Sequence, residues 1–76
     1  MSRFFFHIRH GRVFIPDDEG MELRDICAAR AELLASAEDL ALAEMRAGRA
    51  VGSQTIEIED AAGLLLECMP IRRTLH

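Results

Sequence analysis

Residues 25 to 47 read Asp-Ile-Cys-Ala-Ala-Arg-Ala-Glu-Leu-Leu-Ala-Ser-Ala-Glu-Asp-Leu-Ala-Leu-Ala-Glu-Met-Arg-Ala, and no other stretch is long and periodic enough to form a full helix. Ile26, Ala29, Leu33, Ala37 and Leu40 follow the alternating three and four spacing that lines side chains along one face of a 3.6-residue helix. Asp25 stands at the N-cap position, where a carboxylate accepts from the first free amides, and Gly48 stands where a left-handed residue ends a helix. One apolar stripe on one helix needs a sheet to cover it. The rest of the chain reads as strand.

Upstream, residues 2–15 alternate as a hairpin with His10-Gly11 as its two-residue turn. That register sets Ile8 opposite Val13 and Phe6 opposite Ile15, so Phe4, Phe6, Ile8, Val13 and Ile15 share the inner face. Arg3, Phe5, His7, Arg9, Arg12 and Phe14 take the outer one. Pro16 ends the second strand and Asp17-Asp18-Glu19-Gly20 forms a polar loop before the helix. Downstream, residues 49–53 make a connection, and residues 54–69 make a second hairpin around Asp60-Ala61-Ala62-Gly63. Its register puts Ile58 opposite Leu66 and Ile56 opposite Cys68, with Leu64, Leu66 and Cys68 inward and Leu65, Glu67 and Met69 outward. Pro70 ends the last strand, and residues 71–76 form a frayed tail.

The expected architecture is one α+β domain, ββαββ, with a single helix across one face of a four-stranded antiparallel sheet. Placing strands one and three side by side sets Arg3 and Arg9 against Glu57 and Glu59, which favours the order 2-1-3-4. A variant of this plan makes Met21 to Leu23 an extra short strand.

Composition narrows the function classes. The chain has 76 residues, half of them hydrophobic, 29% charged, with a net charge of −4. A domain this short buries only about 60% of its unfolded surface, so self-association is an economical route to stability. The negative charge argues against a phosphate backbone as the main partner, even though all nine basic residues are arginine. Cys27 and Cys68 are too few for a disulfide scaffold and read as buried thiols in a reducing, cytoplasmic setting. Phe4-Phe5-Phe6 and Leu64-Leu65-Leu66 are far shorter than the roughly 20 apolar residues that span a bilayer, and the apolar start is too short for a signal peptide.

Arg3-Phe4-Phe5-Phe6-His7, the segment Pro16-Asp17-Asp18-Glu19-Gly20-Met21-Glu22-Leu23 and the run Ala28-Ala29-Arg30-Ala31-Glu32 together resemble a family of short bacterial proteins classed as a domain of unknown function. Its members open with an Arg-(Tyr/Phe)-Phe strand and carry Asp-x-x-Gly before the helix. The resemblance implies one intact domain and no activity. Ile15-Pro16-Asp17, Gly20 and the spaced alanines also look like the partial ribonuclease-H-like module of bacterial antitoxins, without any appended DNA-binding segment.

No constellation of catalytic residues assembles. His7 and His10, three apart along a strand, point to opposite sides and cannot chelate one metal, and His76 lies on the tail. Asp17-Asp18-Glu19 lacks the alternating oxygen ligands of a calcium loop and reads as a solvated turn that complements the helix dipole. Neither cysteine has an inward-facing base beside it, and no cofactor motif occurs. What remains is surface. The outer sheet face offers Arg3, Phe5, His7, Phe14, Leu65 and Met69; the helix flank offers Leu34 and Met45, beside Cys27, Ala41 and Leu42. The expectation is a non-enzymatic interaction protein that forms a homo-oligomer, a dimer first, with a further protein partner allowed. The alternative is an antitoxin-like or RNA-contacting module using the basic and aromatic side chains of the first hairpin.

Overall fold

A helix stripe and alternating strands meet as that patterning requires. The computed structural model describes residues 1–48 and 54–71, in the order β1 (Ser2–His10), β2 (Val13–Ile15), β3 (Met21–Leu23), α1 (Ile26–Arg46), β4 (Gln54–Asp60) and β5 (Leu65–Pro70). The fold is α+β, with α1 packed on one face of an antiparallel sheet. The sheet has five strands rather than four, so count and order change by one element. The path is β2-β1-β4-β5, and β3 pairs β1 off that path. Two short strands thus share one edge of β1: β3 pairs its Ser2–Phe4 end and β2 its Ile8–His10 end.

α1 keeps the expected limits. The Asp25 side chain accepts from the Ala28 amide, and Gly48, at φ +73°, follows the C-cap Ala47. Ala29, Leu33, Ala37 and Ala41 are its buried residues, one per turn, packed with Phe4, Ile56, Ile58 and Ile71. Small residues along this seam let the helix lie close to the sheet.

Both hairpin registers differ from expectation. In the first, Ile8 pairs with Ile15 and His10 with Val13, so the loop is Gly11-Arg12 and not His10-Gly11. Gly11 has φ +62°, and among the described residues only glycines have positive φ, which suits a turn that demands glycine at its first central position. A two-residue shift preserves faces, so Val13 and Ile15 stay on the helix side, yet they remain 59% and 49% exposed. In the second hairpin the register shifts between Ile58 and Glu59: Ile56 pairs with Met69, Glu57 with Cys68 and Ile58 with Glu67. A one-residue slip flips every side chain beyond it. Met69 therefore packs against the core, Cys68 is exposed, Glu67 reaches the Arg30 guanidinium on α1 at 3.5 Å, and Leu64 is solvent-facing.

Two further expectations change. Cys27 is exposed as well as Cys68, because it lies on the flank of α1 beside the buried stripe. Ile71 is buried, and its amide donates to the Gln54 carbonyl at 2.9 Å, so the chain does not fray directly after Pro70. The expected connection 49–53 and the tail beyond Ile71 lie outside the described residues.

Candidate interaction surfaces

Because β2 and β3 hold only the two ends of one β1 edge, the middle of that edge has no strand partner among the described residues. Asp17 takes the place of one. Its Oδ2 accepts the Phe6 amide at 3.1 Å, while Oδ1 accepts the amides of Gly20 at 3.1 Å and Glu19 at 3.3 Å. Burial alone pushes this carboxyl up; the Phe6, Gly20 and Glu19 amides, with His7 nearby, outweigh it and hold the carboxyl below its ordinary value. Gly20 closes the loop at φ +72°, where an added Cβ would lie 2.9 Å from the Phe4 carbonyl oxygen. The Pro-Asp-x-x-Gly segment is thus a latch on the edge of β1, and its acidic residue serves the backbone.

His7 is locked from the same side. The Asp17 amide donates to His7 Nδ1 at 3.0 Å, so Nδ1 acts as an acceptor and the ring hydrogen belongs on Nε2, which sits 3.3 Å from Glu59 Oε1. Phe5 stacks on one side of the imidazole with centroids 6.3 Å apart, and Phe14 tilts against it at 5.3 Å. Only 8% of His7 is exposed. Further along β1, Arg9 Nε meets Glu57 Oε2 at 2.6 Å while its guanidinium lies 4.5 Å from the Phe14 centroid. At the other end, Arg3 pairs with Glu22 at 3.1 Å and donates to the Glu19 carbonyl.

These contacts divide the eight candidate residues. Arg3, Phe5, His7 and Phe14 form one row on the outer sheet face, whose charges are largely balanced within the chain. Met69 leaves that face for the core and Leu65 stays exposed beside Glu59. Leu34 and Met45 lie on α1 with Leu42, and these three are 52%, 40% and 47% exposed. On the opposite flank of α1, Ser36, Asp39 and Leu40 meet Phe6, Ile8 and Ile56 around an open cleft of about 300 Å³. Nothing in the sequence marks this cleft, because it depends on how α1 sits over β1 and β4.

Among the described residues, no three His, Cys, Asp or Glu side chains gather into a metal-binding group, and no helix is long and apolar enough to cross a membrane. A family model described as a domain of unknown function, DUF6894, matches residues 3–72. No curated protein and no solved structure matches the chain.

Proposed function

We propose, for a chain that belongs to the DUF6894 family of domains of unknown function, a self-associating interaction module with no chemistry of its own and a second copy of itself as its first partner. The observation that carries this reading is the flank of α1. Leu34 and Met45 project there in one stripe with the exposed Cys27, uncovered by any described residue to a degree that sets them apart from the buried seam, and the exposed Leu42 lies further round the helix. Leu34 and Met45 are each about half exposed, so covering one contributes roughly 1 kcal/mol, or about 4 kcal/mol for two residues on both protomers. That lies at the low end of the roughly 4–15 kcal/mol that association costs, so the flank needs a second contact to hold a dimer.

The outer sheet face draws less support, because Arg3, His7 and Arg9 are each matched by a carboxylate of the same chain. The same fact weighs against the antitoxin-like or RNA-contacting alternative: Arg3 and Arg9 are each committed to a carboxylate, and Glu57 and Glu59 share their face. Two exposed, unpaired thiols fit a reducing, cytoplasmic setting. Sedimentation velocity from about 5 to about 500 µM tests the reading, since a dimer held by mass action must grow with concentration. A monomer at every concentration refutes it, and a salt-sensitive complex with single-stranded RNA, lost in Arg3→Ala/Arg9→Ala, would favour the alternative.

A further inference from the structure

α1 has two distinguishable sides. Taking Ile26 as zero and 100° per residue, Arg30 projects at about 40°, Leu34, Cys27 and Met45 at about 80–100°, and Glu38 at about 120°. Arg30 reaches Glu67 on β5, whereas Leu40 and Ser36, on the opposite flank, meet Phe6 and Ile8 of β1. The exposed stripe is the next step outward from Arg30. It therefore overhangs the edge of β5, which among the described residues pairs only with β4. An unsatisfied strand edge and an uncovered apolar helix flank thus face the same way.

We infer that two copies join β5 to β5 in antiparallel fashion about a two-fold axis normal to the sheet, giving one ten-stranded sheet with both α1 helices side by side on the same face. This rests on the self-association proposed above and names its surface. The spacing is consistent with it. α1 packs against both β4 and β5, and strands lie about 4.8 Å apart, so a helix riding between them stands about 5 Å from the axis and about 10 Å from its copy, the ordinary helix-packing distance. The charges match as well. With Leu34 facing its counterpart near the axis, antiparallel helices bring Glu38, the one acidic interruption of the stripe, opposite Arg30 of the second copy. The operation is self-complementary, as a two-fold interface must be. Pro70, which has no amide hydrogen, and the shifted register near Leu65 confine the shared ladder to the centre of β5. The competing edge is broken into β2 and β3, which offer only three residues each.

Amide hydrogen exchange on the intact chain tests this, read at a concentration where sedimentation shows dimer and compared with Leu34→Glu as the monomeric reference. Leu34→Glu is expected to weaken association at least about tenfold, with far-UV circular dichroism unchanged, while Phe14→Glu on the other edge leaves it within about threefold. In the wild-type dimer, alternate amides between Leu66 and Met69 gain protection at least about tenfold over the monomer, and those of Val13–Ile15 do not. A dimer in which β5 amides exchange as fast as in the monomer, or in which β2 gains the protection, overturns the β5 assignment and leaves self-association standing. A chain that is monomeric throughout removes both.

Discussion

Replacing Asp17 by alanine removes one carboxylate that serves three backbone amides at once, those of Phe6, Glu19 and Gly20. The Phe6 amide lies in the gap between β2 and β3, where no strand can accept it, so its loss leaves a part-buried donor unpaired, at about 1–3 kcal/mol. The two loop amides are more accessible and regain water, adding about 0.5–1 kcal/mol together. The expected cost is therefore about 1.5–4 kcal/mol, against a total stability of about 4–11 kcal/mol for a domain of this size. Asp17→Asn keeps one acceptor oxygen and turns an amide group toward one of the donors, so it falls between wild type and alanine. The pH dependence carries a definite sign. A carboxyl held low in the folded state stabilises above the unfolded value of about 3.9, and that contribution disappears as pH falls through the folded value. The gap between wild type and Asp17→Ala should then be full at neutral pH and shrink in acid. With no Trp or Tyr in the chain, urea unfolding is best followed by the helix signal of α1 in circular dichroism. A penalty under about 0.5 kcal/mol, or a gap that does not narrow below pH 4, refutes the latch.

Three further substitutions probe the Gly20 loop and the end of the sheet. Gly20→Ala and Gly48→Ala both place a side chain at positive φ, costing about 1–2 kcal/mol, but only at Gly20 does the new Cβ meet backbone, so its loss should exceed that of Gly48 by at least about 1 kcal/mol. Equal losses would mean the loop does not press on β1. Ile71→Ala removes a fully buried side chain and should cost about 2–4 kcal/mol by urea unfolding; a change under about 0.5 kcal/mol would place Ile71 in solvent.

Much of this molecule is local and therefore legible. The helix limits follow from Asp25 and Gly48, because a side-chain cap and a left-handed residue act within one turn. The buried sides of β1 and β4 follow from alternation, since Phe4, Ile56 and Ile58 can only point one way once the strand is straight. Alternation says nothing, however, about which rung faces which. A shift of two residues in the first hairpin left the faces intact, whereas a one-residue slip in the second exchanged the places of Cys68 and Met69. The run Leu64-Leu65-Leu66, which has no alternation, marks where that slip became possible.

What only the tertiary structure decided is where non-local partners meet. Sequence spacing presents Asp17 as a solvated turn residue; it becomes a backbone acceptor because β2 and β3 leave a gap on β1 that neither strand can close. His7 reads as an outward strand histidine, and becomes buried because two aromatic rings and the same loop converge on it. The flank of α1 reads as a contact surface, and its exposure depends on how far the sheet extends beneath it. Periodicity reports which residues can share a face, while contact between faces depends on loop closure and strand register, which join residues distant along the chain.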